Sequence, residues 1–235
     1  MLVVRSVGHA IDFESVAARD RIHRDELERS RFVGERGVPF FTVSVSLAQS
    51  AWVLGRPPSA VVGHWRDALT DLFFPRRHRS GPELLTFVTL AHLVGTDDER
   101  IRALSFGEAS TEPEVALSWA WFSALSEDSR ATLSFATEAR KRASRIECAT
   151  RRGAISVLGA LFEAFAMRDS HAFTRAWRFR ERSMAPLLAG QEARTWVEGV
   201  LDPVRIALAR QGARVDFVPP TEPSRYVPQE LVDLG

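Results

Sequence analysis

Cysteine is almost absent. Cys148 is the only one in 235 residues, so no internal disulfide can form and no cysteine-rich zinc site can be assembled, which fits a reducing compartment. Lysine occurs once, at Lys141, tyrosine once, at Tyr226, and asparagine not at all. An excess of one charge is missing too. Thirty-one basic and thirty acidic side chains leave a formal charge of +1, which argues against both a polycation that coats nucleic acid and a strongly acidic mimic of it. No apolar run reaches the roughly 18 residues of a membrane span, and MLVVRSVGHAIDFE meets polar residues too soon for a signal peptide's apolar core. The expected location is the cytoplasm, with no membrane partner.

Catalytic signatures are missing as well. There is no G-x-S-x-G, no H-E-x-x-H, no phosphate-cradling G-x-x-x-x-G-K-[ST] and no G-x-G-x-x-G. The six histidines stand singly. His23 beside Asp25 and Glu26, or His64 with Asp67, is better read as the ordinary mixture of a surface helix than as an acid–base or metal pair. His92 lies in the most apolar segment and reads as a hydrogen-bonded core histidine, and Cys148 reads as a small buried apolar residue. The expectation is therefore no catalytic residue, no metal and no cofactor.

What the chain does have is helix-forming pattern throughout, and its 45% hydrophobic content suffices for a sizeable core. Ser80 to Glu83, Thr96 to Glu99 and Thr111 to Glu114 each show the hydroxyl-to-glutamate spacing of a capping box. Residues 84–94, LLTFVTLAHLV, carry no charge and predict a helix covered on most sides. Further helices are predicted over 12–31, 40–54, 59–73, 114–125, 130–149, 153–168 and 170–187. Around Pro203, WVEGVLDPVRIALARQG predicts a helix kinked near Gly199 and capped by Gly212, and VDFV (215–218) predicts a short strand. No period near 34 residues marks a regular repeat, although paired antiparallel helices fit the pattern. The predicted fold is all-α: a single domain over 1–235, a multi-helix bundle of antiparallel helix pairs, with residues 213–235 as an extended tail packed on the helical body.

Charge is segregated along the chain. Residues 97–128 hold eight acids against two arginines, and residues 140–182 hold eleven bases against four acids. Lys141, Arg145 and Arg152 are predicted to share one helix face, and Arg175, Arg178 and Arg182 another, beside Phe173 and Trp177. The basic segment is either a solvated arginine face with both aromatics in the core, a phosphate grip with Trp177 stacking on a base, or a surface for a carboxylate-bearing protein. Several carboxylates of the acidic segment already serve helix starts. Trp119 and Trp121 point to nearly opposite sides of their helix, and core packing is the better reading of both.

The terminal stretch carries prolines 219, 220, 223 and 228 between apolar anchors Val215, Phe217, Tyr226, Val227, Leu231 and Val232. Proline opposes helix and central strand, and a disordered end would not need the anchors. DPVRIALARQGARVDFV followed by RYVPQELV resembles the end of the all-helical immunity proteins of bacterial polymorphic toxin systems, in particular the immunity protein 49 family. The likeness extends loosely through HWRDALTDLF and GAISVLGALFEAFAMRD followed by AFTRAW. Val227 stands where the family pattern has leucine, and a related helical immunity group fits the tail about as well. The resemblance implies a stoichiometric inhibitor of a cognate toxin domain encoded by an adjacent gene. It transfers no binding residues. Charge alone nominates Asp97, Asp98, Glu112 and Glu114 for a basic toxin cleft, or Arg175, Arg178 and Arg182 for an acidic surface. The alternative is a nucleic-acid-associated helical protein using residues 140–182.

Overall fold

The computed structural model describes residues 13–33, 38–70, 81–95, 111–189, 201–215, 217 and 227–234. Among these the chain is all-α. In order come α1 (Phe13–Val33), α2 (Val38–Val53), α3 (Pro58–Thr70), α4 (Gly81–Leu93), α5 (Pro113–Leu125), α6 (Ser129–Ala143), α7 (Ala149–Ala166), α8 (Ser170–Ala189), α9 (Pro203–Arg214) and α10 (Gln229–Val232). No described helix is long and apolar enough to cross a membrane. The residues form two compact units, each drawn from separate stretches. The first comprises Met1–Arg77, Pro186–Asp202 and Pro223–Gly235, the second His78–Ala185 and Pro203–Glu222.

In the first unit α2 packs against both α1 and α3. Leu27, Leu47, Trp52, Val61 and Trp65 are buried there. Gln49 in α2 treats the Leu201 main chain as a paired strand would: its Oε1 accepts from Leu201 N at 2.7 Å and its Nε2 donates to Leu201 O at 3.5 Å. Asp20 of α1 is 2% exposed, and its Oδ2 accepts from Arg24 Nε at 2.9 Å and from Arg56 Nη2 at 2.5 Å. Arg56 follows α2, so this carboxylate ties α1 to the α2–α3 turn. Asp20→Ala would leave two guanidinium groups without their anion. Because those side chains are 40% and 32% exposed, water recovers part of the loss, and the expected cost is about 2 kcal/mol rather than that of a fully buried pair. Urea unfolding of the variant checks it.

The second unit contains a feature that a search for a 34-residue period does not see. The hairpin α5–α6 is matched by α7–α8 at an offset of 41 residues, with Leu117, Asp128, Ser129 and Ala131 answered by Leu158, Asp169, Ser170 and Ala172. Burial follows the same offset. Ala120 and Leu161, Trp121 and Phe162, and Thr132 and Phe173 are all fully buried pairs. Both hairpins turn by one mechanism. Glu127 and Arg168 adopt left-handed φ of 59° and 53°, and their N–H groups donate to Ala124 O and Phe165 O, while Asp128 and Asp169 donate to Ser123 O and Ala164 O. This is a Schellman closure of each first helix. The two aspartates then cap the following helices, Asp128 accepting from Ala131 N at 3.0 Å and Asp169 from Ala172 N at 2.9 Å.

The left-handed residue is ordinarily glycine, as at Gly55 and Gly95, where φ is 69° and 71°. Glutamate and arginine pay a steric cost there, partly offset by the greater unfolded-state freedom of glycine. Glu127→Gly and Arg168→Gly are each expected to raise stability by about 0.5–1 kcal/mol, and Gly95→Ala to lower it by about 1 kcal/mol despite the open space around that residue. Thermal unfolding of the three variants decides.

Several expectations need correction. Pro203 does not kink a longer helix; it begins α9, where its missing N–H is no loss. Gly199 lies outside the described residues. Gly212 is not a terminal cap, because α9 runs on to Arg214. Of VDFV, Asp216 and Val218 lie outside the described residues, Val215 stands in a turn, and Phe217 is a buried anchor, its N–H bonded to Gly212 O at 2.8 Å and its ring edge-on to Phe165 and Phe173 at 5.7 and 5.5 Å. The Thr111–Glu114 box is not formed, since Glu112 occupies the N-cap position with no side-chain capping hydrogen bond and Pro113 opens the helix. Ser80 and the Thr96–Glu99 pair lie outside the described residues. Cys148 is exposed at the N-cap of α7. In the tail, Val227 and Leu231 are buried and Pro228 introduces α10 as expected, whereas Tyr226 lies outside the described residues.

Candidate functional site

α8 has two sharply different faces. Phe173 and Trp177 point inward, 0% and 4% exposed, with their rings 5.5 Å apart. Phe173 meets Phe165 and Phe217, and the Arg205 guanidinium lies 4.8 Å from the Trp177 ring centroid. A cation stacked on a buried indole offsets some of the desolvation of that fully buried arginine. Trp177 is thus core, as the helical spacing suggests, and offers no free ring to a nucleotide base.

The opposite face is outward. His171, Arg175, Arg178, Phe179 and Arg182 are all exposed, and their spacing confines them to an arc of roughly 100° on the helix. Phe179 stands out, with 52% of its surface in contact with solvent. Exposing a phenylalanine among arginines withholds apolar burial from the fold. The combination of an aromatic anchor and planar guanidinium donors is also the side-chain chemistry enriched where binding energy concentrates in protein interfaces. The three nominated arginines are therefore brought together as predicted. Phe179 was missed, though it follows Arg178 directly and a projection of the helix places it on the polar side.

The two nominated acids among the described residues, Glu112 and Glu114, have different surroundings. Glu112 is exposed just before α5. Glu114 is a correction: it is 5% exposed, and Arg151 Nε and Nη2 hold its carboxylate in a fork at 2.6 and 2.9 Å. That hydrogen bond, with the charge behind it, raises the Arg151 guanidinium above its usual pKa. Glu114 braces α5 to α7 and is not available as an outward carboxylate. Asp97 and Asp98 lie outside the described residues. Lys141, Arg145 and Arg152 do not share a face either, because α6 ends at Ala143, Arg145 sits in the turn, and Arg152 in α7 donates to Ile146 O at 2.6 Å.

Inside the second unit, His92 of α4 meets Trp121 of α5 edge-on at 6.2 Å. Its Nε2 is buried with no hydrogen-bond partner among the described residues. Burial first, then the charges of Arg214 and Arg210, lower its pKa to about 4. Arg210 is itself buried, donates to Leu93 O at 2.7 Å, and is pulled below its usual pKa by burial and by Arg214. In the first unit, His64 Nδ1 and Asp67 Oδ2 stand 4.0 Å apart, the outer limit of an ion pair. Among the described residues no group of three or more histidine, cysteine or acidic side chains could hold a metal ion. A depression of about 80 Å³ between the two hairpin turns, lined by residues including Glu127, Thr132, Phe165 and Arg168, has room for a few waters.

No protein-family model matches the chain, and no curated protein or solved structure matches it.

Proposed function

We propose that the chain is a stoichiometric protein-binding inhibitor of the immunity type, which docks a preformed helical surface onto a cognate toxin domain encoded by an adjacent gene. The observation that carries this reading is the outward face of α8, where Arg175, Arg178 and Arg182 surround an exposed Phe179. Phe179 offers an apolar anchor that a partner can desolvate, and the arginines offer bidentate donors to carboxylates. Complementary charge would steer and orient the encounter more than set its final strength. The resemblance of DPVRIALARQGARVDFV and RYVPQELV to immunity-protein endings supplies the toxin as partner, and the buried Phe217, Val227 and Leu231 agree with a terminal segment that is part of the folded body.

The nucleic-acid alternative has lost its stacking residue, since Trp177 is buried beneath Arg205. It rests on the arginines and the single exposed ring of Phe179. Co-expression with the product of the neighbouring gene tests the preferred reading: the expected result is a co-purifying complex of one copy each and restored growth of cells that otherwise succumb. No association and no protection would remove it.

A further inference from the structure

The repeated hairpins extend the docking surface beyond α8. α5 and α7 lie side by side, with Trp121 and Phe162 stacked at 5.3 Å and 10°, and α6 packs against both. The offset of 41 residues maps α6 onto α8: Arg130 takes the place of His171, Ser134 of Arg175, Lys141 of Arg182, and all six are exposed. Glu138 takes the place of Phe179, but its carboxylate is held by Arg142 Nε at 2.8 Å, so the α6 face keeps a positive balance. A repeat step of packed helices is about 10 Å, which one short segment of a partner can span.

We infer that the outer faces of α6 and α8 form one basic strip, with Arg130 and Lys141 on the first helix and Arg175, Arg178 and Arg182 on the second, which binds an acidic protein segment lying across both, with Phe179 as its apolar anchor. Charge complementarity argues for this occupant. A strip of five cations with a single exposed aromatic suits a carboxylate-bearing segment with one apolar side chain better than it suits a nucleic-acid strand, which would use an aromatic for each stacked base. The inference rests on the protein-binding reading above and names the surface and the chemistry of its partner.

The full chain is titrated by fluorescence anisotropy against a labelled 14-residue peptide with glutamate at every third or fourth position around a central leucine, and against a single-stranded dT20, both at physiological salt. The peptide is expected to bind and dT20 to bind more weakly. Arg175→Glu with Arg178→Glu and Arg182→Glu should weaken peptide binding at least tenfold, Phe179→Ala about tenfold, and Arg130→Glu with Lys141→Glu at least threefold. Arg21→Glu with Arg66→Glu, on exposed positions of α1 and α3, should leave it unchanged. Circular dichroism melts confirm that each variant folds. Failure of the peptide to bind, indifference to the α6 pair, or tighter binding of dT20 overturns the inference. The same variants in the co-expression assay separate the two proposals. If the wild type protects and the reversed variants protect equally, the strip is wrong and the inhibitor stands. If the peptide binds as described but the wild type does not protect, the inhibitor is wrong and the strip stands.

Discussion

Phe162→Ala is expected to lower the unfolding free energy by about 3–5 kcal/mol, the largest single effect anticipated for this chain. Phe162 is fully buried in α7 and its ring lies face to face with Trp121 of α5, itself fully buried. Removing the ring forfeits its transfer from water, leaves a cavity that the surrounding core cannot close without moving whole helices, and strips one face of the indole of its contact. The stack adds about 0.5–1.5 kcal/mol beyond burial. Because domains are stable by only about 5–15 kcal/mol, the loss should appear as a drop in melting temperature of roughly 10 °C. Phe162→Leu, which keeps most of the volume, should cost less than half as much. Trp119→Ala is a useful comparison, since that indole is half-buried against Phe135 and Phe122. Calorimetry or urea titration reads all three, and a Phe162→Ala penalty below about 1 kcal/mol would show that the two hairpins are not joined through this stack.

Acidification should destabilise the protein by up to about 3 kcal/mol through His92 alone. Its folded pKa is lowered from 6.5 to about 4, so between those values the unfolded chain binds the proton and the folded chain does not. The stabilisation is complete above pH 6.5 and is lost as pH falls from 6.5 through 4, below which both forms are protonated and no further loss accrues. The cause is geometric. A proton at Nε2 would place a cation in a buried position with no acceptor among the described residues, near Arg214 and Arg210. Carboxylates titrate over part of the same range, so the informative measurement is a difference: urea midpoints of the wild type and His92→Leu, which removes the titrating ring, compared at pH 7.5 and pH 4.5. The wild type should lose more stability on acidification than the variant. Equal losses would mean that His92 is not held neutral by its surroundings.

Most of the helices were legible because their cause is local. The predicted spans at 12–31, 40–54, 59–73, 84–94, 114–125 and 170–187 fall within a few residues of the observed helices, since apolar spacing near 3.6 and the turn residues between segments are properties of contiguous sequence. Where the ends went wrong, the competing influence was also local but read with the wrong weight. Pro203 began a helix because a proline at the first position satisfies the same φ and donor constraints that would strain it in the interior. The outward arginines of α8 were legible for the same reason as its helix.

What sequence alone determined, then, is an all-α chain with a segregated basic helix whose arginines share a side, because both follow from periodicity within one element. Tertiary structure decided the rest. It turned Glu114 from a candidate contact into a brace for Arg151, buried Trp177 beneath Arg205, and left His92 Nε2 buried with no hydrogen-bond partner among the described residues. Each of these depends on a residue tens of positions away, and the free energy of a charge or a ring is set by what surrounds it in space. No pattern of neighbours along the chain carries that information.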